Sequence, residues 1–133
     1  MGARCNFVFK QKEDLAVVLY SHWGEDSLHE DLALALQHAA VRKGDTEYYT
    51  RMIISHLIQD SILDETGFGI SACNPNTALD YLDHPILIDL TNNTISDETG
   101  SHEIDSFINY HSPSSVLSTV GASATAEVGV TSR

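Results

Sequence analysis

The chain opens on strict alternation. Cys5, Phe7 and Phe9 fall on one side of an extended backbone, and Asn6, Val8 and Lys10 on the other. A period of two predicts a strand from Arg4 to Lys10. Gln11 to Asp14 are polar and read as a turn, and Leu15 to Tyr20 (LAVVLY) form an apolar run with the length of a second, centrally buried strand. The two make an N-terminal hairpin. From Ser21 to Asp26 the pattern is interrupted. It resumes at helical spacing, with Leu28, Leu32, Ala35, Leu36 and Ala39 on one face. Ser27 and Glu30 fit a capping box at the start of this helix. Arg42 and Lys43 suit the negative end of its dipole, and Gly44 suits its stop. Asp45 or Thr46 begins a second helix. Its Met52–Leu63 stretch is apolar on more than one face, which predicts a largely buried element. The short connection at Gly44 predicts an antiparallel helix pair.

The second half reads as shorter pieces. Phe68 and Ile70 alternate with small residues, as in a strand, and Asn74-Pro75-Asn76 signals a turn, with one helical turn over Ala78–Leu82. Pro85 to Leu90 and Thr94 to Ser96 read as strands joined at Asn92-Asn93, because Asn tolerates positive φ. Ile104 to Tyr110 carries Ile104, Phe107 and Ile108 on one side of a short helix. Past residue 111 the composition shifts to Ser, Thr, Ala, Gly and Val, with no aromatic residue. Residues 112–133 are therefore expected to be a flexible tail. The alternative is that its valines add a strand on assembly. The predicted order is β-β-α-α-β-β-β-α. The fold class is α+β: one domain over residues 1–111, with a mainly antiparallel sheet, a helix pair on one face and a short C-terminal helix.

Composition narrows the function. The chain has 133 residues and a formal charge of −12, from 19 acidic and 7 basic residues, and its seven histidines soften that imbalance near pH 6. So negative a surface repels phosphate backbones and argues against general nucleic-acid binding, while leaving room for one local cationic pocket. No apolar run has the length of a membrane span, and the first residues lack the apolar core of a secretory signal. Two cysteines, Cys5 and Cys73, suit a reduced compartment better than a disulfide framework.

Candidate chemistry lies in three places. Tyr20-Ser21-His22-Trp23-Gly24 sets an imidazole and an indole where a strand leaves the sheet. Trp23 can stack on a base and His22 can hydrogen-bond a phosphate or ribose; alternatively Trp23 plugs the core and His22 caps a carbonyl. Thr66-Gly67-Phe68-Gly69 offers backbone N–H groups that an anion could approach, or a helix cap running into a strand. Basic residues are scarce. Arg4 and Arg51 are those that helix ends and turns leave unexplained, and Arg51 beside Met52 is expected to meet a carboxylate or a bound anion. The tetrapeptide Asp-Glu-Thr-Gly occurs twice, at Asp64–Gly67 and Asp97–Gly100. It is too short to imply a duplicated fold and is explained by turns. No HExxH, CxxC or EF-hand loop occurs, no G-x-S-x-G occurs, and Cys73 has no base beside it in sequence. No metal, no cofactor and no catalytic residue is expected.

Gly2-Ala3-Arg4 with Asn6, then Leu19–Gly24, Thr50–Ile54 and Glu65–Ser71, taken as a set, resemble a family of small uncharacterised bacteriophage proteins. The resemblance covers residues 2–90 and implies a place in the host cytoplasm, but no activity. Phage accessory proteins of this size counter host defences by sequestering nucleotide signals, by binding a defence protein, or by mimicking DNA. Regular rows of carboxylates, which mimicry needs, are absent. The expected function is non-catalytic binding of a small nucleotide-like ligand, with Arg4, Tyr20, His22, Trp23, Arg51, Thr66 and Gly67 converging on one pocket. The alternative is an acidic inhibitor of a host defence protein, or a virion component that forms a homo-oligomer through its tail.

Overall fold

Described here is a computed structural model, over residues 3–24 and 28–111. The cap at Ser27 and the tail over residues 112–133, both expected from sequence, lie outside these residues. β1 (Ala3–Lys12) and β2 (Leu15–Gly24) form the N-terminal hairpin, with Phe7 opposite Leu19 and Val8 opposite Val18. β3 (Phe68–Cys73) adds antiparallel to β2. On the other flank of β1, β4 (Pro85–Asp89) runs parallel to it, followed by β5 (Thr94–Asp97) and β6 (Gly100–Glu103), both antiparallel. The sheet order is β3-β2-β1-β4-β5-β6.

The alternation read from the sequence sorts side chains to two faces. Cys5, Phe7 and Phe9 of β1, Leu19 of β2, Ile86 and Ile88 of β4 and Ile95 of β5 share one buried face. Over it lie α1 (Leu28–Ala39), α2 (Thr46–Ile58) and α4 (Ile104–His111), which contribute Leu32 and Leu36, Tyr49 and Ile53, and Ile104 and Phe107. Val8, Ala16 and Val18 face the other way and are sealed by Leu82, Leu87 and Cys73. Leu82 belongs to the segment between β3 and β4, which opens with the single turn α3 (Pro75–Ala78). Asn74 caps that turn by accepting the Asn76 N–H at 2.8 Å, and proline stands where its missing N–H costs nothing. This fixes the turn three residues earlier than the sequence reading placed it.

Three further elements differ from expectation, each for a local reason. β2 continues through Gly24 although the apolar run ends at Tyr20, because the His22 N–H donates to the Gly67 carbonyl at 2.9 Å and carries the pairing on. α2 stops at Ile58, where the Ser61 N–H turns back to the Ile58 carbonyl at 2.8 Å, leaving Ile62 and Leu63 63% and 93% exposed rather than buried. β6 was not visible in the pattern, since Gly-Ser-His-Glu has no apolar residue and is exposed throughout. Pairing with β5 and a turn that places Gly100 at φ +134° create it. The Asn92-Asn93 turn is as expected, with Asn93 at φ +60°. Asp89 ties that turn to the sheet, accepting the N–H groups of Thr91 and Asn92 at 3.0 Å each.

Two histidine pairs sit where helices meet. His38 of α1 and His56 of α2 have ring centroids 5.3 Å apart, and His29 of α1 stacks on His111 of α4 at 5.0 Å. Burial, and then the facing His38, lower the His56 pKa, against an opposing pull from Asp31. Burial, and then His29 and His102, lower that of His111, against Asp97.

Two outcomes follow from this packing. Leu36→Ala, a truncation at a fully buried site between helix and sheet, is expected to cost about 2–5 kcal/mol in urea unfolding, whereas Leu63→Ser leaves the midpoint unchanged. An equal effect of the two would show the buried helix face to be misassigned. For pH, His56 and His111 hold protons less tightly folded than unfolded, so below the ordinary histidine value of 6.5 the unfolded chain takes up more protons. Their contribution to stability is complete above 6.5 and declines as pH falls through the folded values. His111→Phe, which keeps a ring against Phe107, should shrink the loss of urea midpoint between pH 7.5 and 5.5. An identical loss in the variant would remove His111 from the account.

Candidate functional site

A cleft of about 530 Å³ opens at the end of the sheet where β1 and β4 begin. Its position follows from the parallel pairing. Two neighbouring strands start at the same end, so two incoming segments must arrive side by side. Asn6 organises the arrival: its side-chain amide donates to the Asp83 carbonyl at 2.8 Å and its N–H to the His84 carbonyl at 3.5 Å. His84 takes φ +45° to bend the chain into β4. The floor is apolar, from Cys5 and Ile86 on the helix-bearing face with Leu28 of α1 beside them, while Leu87 lines the cleft from the opposite face of the sheet and Leu79 from the segment before β4. The polar wall comes from the end of β5 and its turn, Ser96 to Thr99, with His29 of α1 facing it, and Arg4 stands at the rim.

The wall is internally bonded. Asp97 accepts the Thr99 N–H at 2.8 Å and lies 3.2 Å from His29 Nε2. Burial works to raise the Asp97 pKa, but the Thr99 and His29 hydrogen bonds outweigh it and hold the carboxyl below its ordinary value of 3.8. In the floor, burial pushes the Cys5 thiol up to about 12, against a weaker opposing hydrogen bond from Asn6. Cys5 is thus a protonated packing group at neutral pH and not a nucleophile.

Arg4 and Lys10, two of the three cations of β1, differ in how firmly they are held. Lys10 and Asp89 lie 3.7 Å apart with 17% and 10% of their side chains exposed, while Arg4 and Asp83 lie 3.6 Å apart at 62% and 58%. An exposed pair is worth about 0–1 kcal/mol. Arg4 can therefore exchange Asp83 for another anion at little cost, and Lys10 cannot.

Of the residues singled out in the sequence, several meet at this end of the sheet. Between the pairs Ala3–Gly24 and Cys5–Ser21, Arg4 alone faces His22 and Trp23 in a bulge. The Tyr20 hydroxyl lies 3.0 Å from His22 Nδ1, and the His22 N–H bonds Gly67, which has φ +103° and follows Thr66. The strand that carries Trp23 thus ends beside the cleft; the Trp23 side chain lies outside the described residues. Arg51 is elsewhere. It is exposed on α2 and donates to Ser55 at 3.1 Å, because the buried face of that helix is formed by its neighbours Tyr49, Thr50, Ile53 and Ile54. Thr50 accepts from Gln11 at 3.0 Å, at the opposite end of β1. From Ala16, beside Lys10, to His22 is six residues, or about 20 Å of strand. Arg51 therefore stands apart from the other candidates.

The cleft also uses residues that sequence reasoning set aside. The second Asp-Glu-Thr-Gly copy supplies Asp97, Glu98 and Thr99 to its wall. The repetition was visible, but a turn explained it fully. His29 carries no local signal, since its contact is with Asp97 of β5, 68 positions away in sequence. Among the described residues no group of three His, Cys, Asp or Glu is arranged to hold a metal ion, and no helix is long and apolar enough to cross a membrane.

Compared with known proteins, the chain matches no family model, no curated protein and no solved structure.

Proposed function

We propose that this protein is a non-catalytic binder of a small nucleotide-like ligand, seated in the cleft between the starts of β1 and β4. The observation that carries the reading is an apolar floor with one loosely held cation, Arg4, at its rim. A volume of about 530 Å³ suits one small molecule and falls within the range of ligand pockets generally. A base would lie on Cys5 and Ile86. Ribose hydroxyls would meet the His29–Asp97 pair and Glu98. A phosphate would draw Arg4 away from Asp83. Nothing in this arrangement activates a nucleophile, so the ligand would be held and not turned over. In the phage setting that the sequence resembles, such holding would act by withdrawing a host signal nucleotide from its receptor.

The test is thermal unfolding against nucleosides, mononucleotides, cyclic nucleotides and ADP-ribose. A ligand at one hundred times its Kd should add about 2.7 kcal/mol of stability. Leu79→Trp, at a 40% exposed position on the cleft, should fill the mouth and abolish the shift without loss of fold. Arg4→Ala should weaken phosphate-bearing ligands up to about tenfold, the equivalent of 1.4 kcal/mol, and leave the matching nucleosides unchanged. Unaltered binding by Leu79→Trp would place the ligand elsewhere, and no shift with any of these compounds would refute the nucleotide reading.

A further inference from the structure

The sheet has two edges, and they are built differently. β6 is four residues long, contains Glu103, and runs directly into α4, whose first N–H is already bonded to the Asn93 carbonyl at 2.9 Å. Short length, charge and an immediate helix are ordinary protections of a sheet edge. β3, at the other edge, lacks the first two, and the helix that follows it, α3, is a single turn beginning two residues beyond the strand. It is six residues of Phe-Gly-Ile-Ser-Ala-Cys, within a run from Thr66 to Leu79 that contains no Asp, Glu, Lys or Arg. One residue in five of the chain is charged, so this edge is a neutral strip on a protein of charge −12.

The direction of its backbone groups follows from the register. Asn6 bonds toward β4, so Cys5, Phe7 and Phe9 bond toward β2, and their partners Ser21, Leu19 and Val17 face β1. Tyr20, Val18 and Ala16 then face β3, where they meet Gly69, Ser71 and Cys73. The N–H and C=O groups of Phe68, Ile70 and Ala72 consequently point away from the sheet. The Ile70 side chain lies on the helix-bearing face, opposite Leu19, yet is 65% exposed, whereas Phe68 on the same face packs against the core.

We propose that β3 is a self-association edge, and that its occupant is the β3 strand of a second copy of this chain. The argument is self-complementarity. In an antiparallel pair, opposed residues share a face, so the two copies must pair in a register that keeps the helix faces continuous. A two-fold axis through Ile70 does this. It sets Ile70 against Ile70, Phe68 against Ala72 and Gly69 against Ser71, and it joins all three outward residues of each copy in about six backbone hydrogen bonds. Each Ile70 covers the other. A neutral strip is also where two strongly acidic chains can approach most closely, since any foreign acidic edge would gain nothing from it and a basic one would find no carboxylate in it. The contact is small, which makes the dimer weak and concentration-dependent.

Sedimentation velocity on the full chain from about 10 μM to 1 mM, a span of roughly 2.7 kcal/mol in association free energy, tests this. A dimer should appear toward the upper end, and more of it in 0.5 M NaCl than in 0.05 M, because salt screens the repulsion between like-charged copies. Ile70→Lys, at an exposed position, should remain folded and monomeric throughout. Amide exchange adds the register: the Ile70 and Ala72 amides should slow with protein concentration, and that of Ser71, which faces β2, should not. A chain that stays monomeric at 1 mM in high salt overturns the proposal, as does an Ile70→Lys variant that dimerises like the parent. Ile70 and Ala72 amides already protected at 10 μM, independent of concentration, would mean that the chain covers its own edge, and would overturn it as well.

Discussion

Between β1 and β4 the sheet changes sense. At its other boundaries neighbouring strands run antiparallel, and most are joined by turns of two to four residues. A parallel pair cannot be joined that way and needs a long crossover. Here the chain leaves the β1–β2 hairpin, builds α1 and α2 over one face, lays β3 along the far edge and crosses the other face before entering β4. That one pairing therefore determines which face receives the helix pair, and it obliges the segment between β3 and β4 to seal Val8, Ala16 and Val18. It also places two strand starts side by side. An antiparallel neighbour would have closed that end with a hairpin. A parallel one leaves a gap between incoming segments, and the cleft is that gap.

Charge is distributed in keeping with this plan. Lys10 is held half-buried by Asp89 beneath the β4–β5 turn. Burial tends to raise the Asp89 pKa, but the hydrogen bonds from Asn92 and Thr91 and the charge of Lys10 leave it lowered. Arg42 and Lys43 pair with Asp45 and Asp105 at helix ends. Those two pairs are exposed, as is that of Arg4 with Asp83, and only Lys10 is held in a largely buried pair. Arg4 differs in its place, at a bulge on the rim of the cleft. Asp97 in the cleft wall is, by contrast, already committed to Thr99 and His29.

How much of this the sequence disclosed depends on whether the signal was local. Period-two alternation in β1 and helical spacing in α1 reflect burial against a continuous face, so Phe7, Phe9, Leu32 and Leu36 identified themselves. The helix pair on a mainly antiparallel sheet followed from them. β6 carries no apolar residue and exists through its partner, and α2 ends earlier than its hydrophobic run because a turn at Ser61 stops it; neither signal is a pattern. The site divides in the same way. Arg4, scarce and without a local explanation, is the sequence candidate that lines the cleft; Tyr20, His22 and Gly67 are brought to the same end of the sheet by the pairing of β1, β2 and β3 but stand outside that lining. Arg51 was expected to meet a carboxylate or an anion, but a step of about 100° per residue turns it away from the face formed by Tyr49, Thr50, Ile53 and Ile54, and it bonds Ser55 instead. His29 and Asp97 are joined only by the tertiary fold.

On the proposed reading, the cleft's affinity would come mainly from its floor. Each 100 Å² of apolar ligand surface removed from water contributes about 2.5 kcal/mol. An exposed ion pair contributes about 0–1 kcal/mol, and here the phosphate would first have to displace Asp83 and to enter the field of a −12 chain. Arg4 therefore sets which way round a ligand lies more than how tightly it is held. The same field would favour ligands whose charge is concentrated at one end, where the guanidinium could meet it, and whose remaining body is flat and neutral, where Cys5 and Ile86 could cover it. A molecule with charge spread along its length, such as a nucleic-acid strand, would set most of its phosphates against carboxylates. An arrangement that admitted a mononucleotide on the proposed reading would thus also turn away a polynucleotide.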